Sequence, residues 1–118
     1  MDCVYCPARA WRNVGAIDAD VSRHMLRVVQ EAISNAIRHG RAERILVRLE
    51  RRSLRLRLSI VDRGSGMGSG SFTHHETTGL GFSSMQARAR QLRGRLRVRS
   101  GARGTVVMLT VPHGIYPA

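Results

Sequence analysis

The chain contains no lysine. All twenty of its basic residues are arginine, and this removes several chemistries at once. There is no Walker A lysine, no protein-kinase strand lysine and no amine for a Schiff base. A phosphate site here must use Arg, backbone amides, a helix N-terminus or a metal. Acids are scarce as well, eight against those twenty bases, leaving a net charge of +12. The aromatics are only Tyr5, Trp11, Phe72, Phe82 and Tyr116, and they are not interleaved with the arginines as a single-strand stacking platform requires. The arginines instead fall on alternate strand positions and polar helix faces. A solvated basic surface is expected, with weak, salt-sensitive attraction to nucleic acid and no specific readout. Cysteine occurs only as Cys3 and Cys6. One C-x-x-C cannot close a four-ligand zinc site, and no helix start behind it suggests redox use. No run of 18 apolar residues and no leader pattern is present. The expected location is the cytoplasm, either as a soluble protein or as the cytoplasmic part of a membrane-anchored one.

A chain of 118 residues suits one domain with a real core. Residues 1–20 read as a partly disordered N-terminal segment, with a short strand at Ala10–Val14. Residues 21–112 hold the domain, and residues 113–118 read as a tail. From Val21 to His39, Met25, Val29, Ala32/Ile33 and Ala36/Ile37 recur at helical spacing; Asp18 or Asp20 is placed to cap the start and Gly40 to stop the end. Ile45, Val47 and Leu49 alternate in one run; Leu54, Leu56, Leu58 and Ile60 alternate in the next. With the short link between them they predict an antiparallel hairpin. A long Gly/Ser/Thr-rich loop with His74 and His75 follows, then a helix over Phe82–Arg93 ended by Gly94. Leu96 and Val98 alternate with three arginines, and a last strand runs from Thr105 to Val111, closed by Pro112.

The chemistry gathers at two places. Asp62 stands at the exit of a strand, where a rigid element can hold its carboxylate as an acceptor for an amino-bearing ring. Gly64 and Gly66, lacking Cβ atoms, let backbone approach a flat ligand. On the first helix, Glu31, Asn35 and Arg38 fall at i, i+4 and i+7 and so share a face. An acid, a neutral oxygen ligand and a cation in one column suit a base, a magnesium ligand and a phosphate contact; a solvated polar face suits them too. Gly79-Leu80-Gly81 enters the second helix, whose free amides favour an anion.

In this order and spacing the motifs resemble the catalytic ATP-binding domain (HATPase_c) of sensor histidine kinases, within the GHKL ATPase superfamily. The nearest likeness is to kinases whose partners are NarL-type response regulators. Residues 28–39 match the N box, 62–66 the first glycine box, 79–81 the second, and 104–105 the closing Gly-Thr. The resemblance implies a two-layer α/β sandwich of Bergerat type: a mixed, mostly antiparallel sheet of about five strands, backed by helices on one face. It implies ATP and magnesium as cofactors. Asn35 would take the magnesium, Asp62 the adenine amino group, and Gly64 and Gly66 the close side of the ring. Gly79, Leu80 and Gly81 would cradle the phosphates under a lid of residues 67–78. Arg38 and His39 would sit beside the phosphates, and Thr105 would join the Asp62–adenine network. Glu31 stands where the superfamily's ATPases keep a general base. Two helices are fewer than the family uses, and a third is expected in the lid or the N-terminal loop.

One departure stands out. No dimerisation helix pair with a phosphoacceptor histidine precedes the N box, and His24 shares its helix. The expectation is therefore an ATP module, as a fragment or a stand-alone chain. It would serve a histidine on a separate dimerisation domain and, through it, a response regulator. The alternatives left open are a serine kinase of anti-sigma-factor type and a basic module for nucleic acid or acidic protein with an unused ATP site.

Overall fold

The computed structural model describes residues 3–5 (backbone alone), 14–38, 43–63, 82–101 and 103–114. The elements follow the order β1 (Cys3–Tyr5), α1 (Ala19–Arg38), β2 (Arg44–Arg52), β3 (Arg55–Arg63), α2 (Phe82–Gln91), β4 (Arg95–Gly101) and β5 (Gly104–Pro112). The five strands form one sheet in the order β1-β2-β3-β5-β4. β1 runs parallel to β2 and every other pair is antiparallel, so the sheet is mixed and mostly antiparallel as expected. β1 is an addition, because the sequence leaves residues 1–9 without an element and puts a first strand at Ala10–Val14. A three-residue strand is too short to show an alternation. Val14, the one described residue of the expected strand, is buried outside any strand.

Period two decides which side of the sheet each residue faces. Ile45, Val47 and Leu49 of β2 are buried, as are Leu56, Leu58 and Ile60 of β3, Leu96 of β4, and Val107, Leu109 and Val111 of β5. Both helices lie over this side, α1 against β2 and β3 and α2 against β4. Leu54, read as the first member of its alternating run, instead sits exposed in the hairpin turn beside Ser53, whose φ is +57°. The link is tight enough to need one left-handed residue.

Asp18 caps α1, its Oδ2 accepting from the N–H groups of Asp20 and Val21 at 3.1 and 3.3 Å. The carboxylate satisfies amides that lack intrahelical partners. The buried stripe of α1 is Met25, Val28, Ala32, Asn35 and Ala36. Met25, Ala32 and Ala36 belong to the expected line; of the residues expected with them, Val29 and Ile33 are half-buried and Ile37 is exposed. Ala32 and Ala36 are small, so the helix settles closest to the sheet along their line. The same choice turns Asn35 inward.

α2 buries Phe82, Met85 and Ala89. Its C-terminus closes with Gly94 N–H donating to the Ala89 carbonyl at 2.8 Å and Arg93 N–H to Arg90 at 3.0 Å. These are the two bonds of a Schellman ending, with Arg93 (φ +56°) in the left-handed position that glycine usually fills. Gly94 is needed for a different reason: a Cβ there would come within 2.5 Å of the Thr110 carbonyl oxygen and 2.6 Å of Val111 Cγ1. Among the described residues there are two helices. The lid in which a third was expected lies outside them, and residues 14–18 are not helical.

Arg51, assigned to the turn by its sequence, sits in β2 and clamps the two ends of the domain. Its Nε donates to the Val14 carbonyl at 2.8 Å and its Nη1 to the His113 carbonyl at 2.9 Å. His113, counted with the tail, is buried, and its Nε2 accepts from Asp18 N–H at 3.1 Å.

Gly94→Ala tests the packing of α2 on β5. The added methyl forces backbone apart, which should cost about 1–3 kcal/mol and lower the melting temperature by at least about 4 °C. An unchanged melting curve would show that the α2–β4 junction tolerates a side chain.

Candidate functional site

The inward row of β3 runs Leu56, Leu58, Ile60, Asp62. Three apolar residues drive this row into the core, and the pleat carries Asp62 in with them. The carboxylate is 6% exposed. It lies opposite Thr105 in the β3–β5 register, and the Thr105 N–H donates to its Oδ1 at 3.2 Å. Thr105 is itself buried, and its Oγ1 lies 2.8 Å from Ser100 Oγ of β4. Among the described residues Thr105 is the only hydrogen-bond partner of the Asp62 side chain, which leaves Oδ2 uncommitted.

Gly104 makes the approach possible. Its φ is +137°, and a Cβ there would overlap the Asp62 carbonyl oxygen. Glycine is thus the residue that lets β5 close onto the strand end where Asp62 stands. The sequence placed Gly104-Thr105 by family pattern; the geometry supplies the reason for both.

Asn35 is 2% exposed on the buried stripe of α1 and is not without a partner. Glu31 is half-buried and Arg38 exposed. The expected column of three is therefore graded, with its middle member facing the core and its last facing solvent. Glu31 lines a recess of about 320 Å³ between α1 and α2, together with Arg27, Gln30, Ser84, Met85 and Arg88. Arg88 Nη1 lies 3.0 Å from His24 Nδ1, joining the two helices. Arg88 and Ser84 emerge here as recess residues that sequence reading had not assigned to a site; their i, i+4 spacing on the polar face of α2 was the available signal. His39, Gly64, Gly66, Gly79, Leu80 and Gly81 lie outside the described residues, as do the lid, His74 and His75.

Asp62, Asn35, Thr105 and the recess all lie on the helix-covered side of the sheet. Among the described residues no three His, Cys, Asp or Glu side chains cluster as a metal cage. The neutral amide oxygen of Asn35 is a donor of the kind a magnesium ion takes beside water and phosphate oxygens.

Comparison with known proteins now bears on this arrangement. Residues 20–115 match the family described as histidine kinase-, DNA gyrase B- and HSP90-like ATPase, and the chain belongs to that family. It is 35% identical over 103 residues to the sensor histidine kinase LiaS of Bacillus subtilis, covering 86% of this chain and 27% of LiaS. With the nitrate/nitrite sensor protein NarX of Escherichia coli it shares 33% identity over 90 residues, 74% of this chain and 14% of NarX. The chain thus spans about a quarter or less of these relatives. In fold it is similar to the histidine kinase domain of the Erythrobacter litoralis EL346 blue-light activated kinase. The TM-score is 0.77 at 23% identity, covering 94% of this chain and 54% of that one. The motifs implied an HATPase_c domain like those of sensor kinases, and the family match and the similarity to these kinases bear out that resemblance. No helix among the described residues is long and apolar enough to cross a membrane.

Burial raises the Asp62 pKa above its ordinary 3.8, and the Thr105 hydrogen bond pulls part of the way back. The folded protein therefore holds this proton to higher pH than the unfolded chain does. The contribution of Asp62 to stability is most favourable below 3.8 and declines as pH rises through the raised value. Asp62→Asn keeps an acceptor for Thr105 and removes the buried charge. Its melting temperature should equal or exceed the parent's at pH 7, with the gap narrowing as pH falls toward 3.8. Thermal melts across that range check it, and a gap that widened on acidification would reverse the sign.

Proposed function

We propose that this chain is the catalytic module of a two-component sensor histidine kinase, presenting magnesium-ATP for phosphoryl transfer to a histidine on a dimerisation domain. The observation that carries the reading is the buried Asp62 carboxylate, fixed by Thr105 at the end of a core strand with one oxygen uncommitted. A carboxylate in that position is an acceptor looking for a donor, and the adenine amino group is one. In this reading Thr105 steadies Asp62, and Gly64 and Gly66 admit the ring.

The helix side supplies the phosphate end. Asn35 would offer its amide oxygen to magnesium, and Arg38 and His39 would stand by the phosphates at the end of α1. Gly79, Leu80 and Gly81 precede the N-terminus of α2, where free amides and the helix dipole favour an anion. Magnesium would neutralise charge on the phosphate oxygens and fix their geometry. Glu31, in the recess between the helices, is assigned the place where the superfamily's ATPases keep a general base. The names of the relatives support this reading, since LiaS is a sensor histidine kinase and NarX a nitrate/nitrite sensor protein.

Two experiments bear on it. Isothermal calorimetry should show ATP or ADP binding that weakens by about 1.5–3 kcal/mol, more than tenfold, in Asp62→Asn, because the amide can turn a donor where an acceptor is required. Affinity equal to the parent's would remove Asp62 from the adenine site. Asn35→Ala should chiefly change the magnesium requirement of binding.

Transfer needs an acceptor in line with the γ-phosphate, and positioning carries most of the catalysis. His24 of α1 is pinned against Arg88 of α2, and His113 is buried against Arg51 and Asp18, so neither can swing into line. Incubated with γ-labelled ATP, the isolated chain should acquire no acid-labile label. A histidine-bearing dimerisation domain added in trans or fused should become labelled. Label on the isolated chain would place an acceptor within these 118 residues.

A further inference from the structure

The face of the sheet turned away from the helices is strongly basic. Along β3, Arg55 and Arg57 alternate with the buried leucines; along β4, Arg95 and Arg97 flank buried Leu96. β5 runs between these strands and presents Met108 and Thr110 on the same face. The register sets Arg57 and Arg95 on either side of Thr110. Two strand spacings separate the rows, about 9.5 Å. Together with Arg93 these residues bound an open recess of about 560 Å³, larger than the one between the helices, and no acid lines it. Among the described residues the acidic strand residue on this face is Glu50 of β2, opposite Arg57 in the β2–β3 register and 3.7 Å from Arg52.

Two features distinguish this groove from an ordinary basic surface. Five guanidinium groups around one recess repel each other; the acid nearest in register, Glu50 opposite Arg57, lies 3.7 Å from Arg52 and lines no part of the recess. The Arg57 Nε is buried with no hydrogen-bond partner among the described residues, a donor left without an acceptor. Arginine alone builds the site, and its planar fork pairs side-on with carboxylates.

We infer that this groove binds an extended acidic segment of a partner protein, with carboxylates at alternate positions. In an extended chain, residues i and i+2 point the same way and lie about 6.6–6.8 Å apart, which is also the spacing of the arginines along each wall. Single-stranded nucleic acid fits less well, because no aromatic residue lines the groove to stack a base. A bilayer surface would meet protruding side chains, and these guanidinium groups edge a recess. The groove lies on the opposite side of the sheet from Asp62 and Asn35, so both ligands can be held together. The inference goes beyond the kinase reading and does not depend on it.

The test uses the full chain and fluorescence anisotropy at about 150 mM salt, where free surface charges are screened beyond roughly 8 Å. One labelled twelve-residue peptide alternates Glu with Ser; a second has the same composition with its Glu residues in one block. Arg95→Gln/Arg97→Gln removes two exposed groove arginines, and Arg57→Gln/Arg95→Gln includes the unpartnered one. Arg23→Gln/Arg90→Gln removes the same charge from the helices. The alternating peptide should bind more tightly than the blocked one. Either groove double variant should weaken it more than tenfold, and the helix variant no more than about threefold. ATP affinity should be unchanged throughout, separating this site from the nucleotide site. Equal losses in groove and helix variants, equal binding of the two peptides, or no binding would overturn the inference. So would tighter binding to a random single-stranded oligonucleotide or to vesicles containing phosphatidylserine.

Discussion

The pairing of β3 with β5 sets Asp62 opposite Thr105 one pair before its end, and the helix side of the molecule depends on how that pair is made. A buried carboxylate is unfavourable unless something donates to it. Here one backbone N–H does so, at 3.2 Å. That bond exists because Gly104, with no Cβ to strike the Asp62 carbonyl, lets β5 close fully. The Ser100 hydroxyl then fixes Thr105 from the other side. Three strands are thereby committed to the position of one acidic side chain. The arrangement retains some strain: burial still outweighs the hydrogen bond and raises the Asp62 pKa. Imperfect satisfaction of this kind is common where a fold keeps a group available for a ligand.

Much of this was legible in the sequence because it rests on short periods. Leu56, Leu58 and Ile60 announce both their strand and the side on which Asp62 must fall, and Met25, Ala32 and Ala36 announce α1. What escaped depends on partners distant in the chain. Nothing local marks Asn35 as buried, since its neighbours Val29, Ile33 and Ile37 offer an equally apolar stripe. The choice is made by how closely Ala32 and Ala36 let the helix approach the sheet. Arg51 looks like one of a run of turn arginines, yet it bonds carbonyls 37 and 62 residues away. Arg93 sits where a glycine would be expected, because the glycine beside it is held for clearance against Thr110. β1 is too short to have a period at all. The candidate site was read largely from a family pattern. The structure gives a physical account of Asp62, Gly104 and Thr105, and places Asn35 on the buried stripe of α1.

The sheet separates two chemical environments by a single layer of backbone. On the helix side its residues are apolar apart from a few polar groups held by one another. On the other side Arg55, Arg57 and Arg63 of β3 and Arg95, Arg97 and Arg99 of β4 share the face with Leu46, Val61, Val106 and Met108. Each arginine's aliphatic stem covers backbone while its charged end remains in water, which adds to the shielding those apolar side chains give the strands. The alternation that builds the core therefore builds the basic face as well. A one-residue register slip would exchange the two.

β4 is the last strand of the sheet, and nothing among the described residues pairs with its outer edge. Such an edge can recruit a like strand from another molecule and seed aggregation. Arg95, Arg97 and Arg99 make that difficult. Two copies of β4 laid side by side would bring guanidinium rows together, and a chain carrying a net +12 gains nothing elsewhere to offset the repulsion. The same residues that ready the open face for an acidic visitor thus keep the protein from polymerising through its own edge.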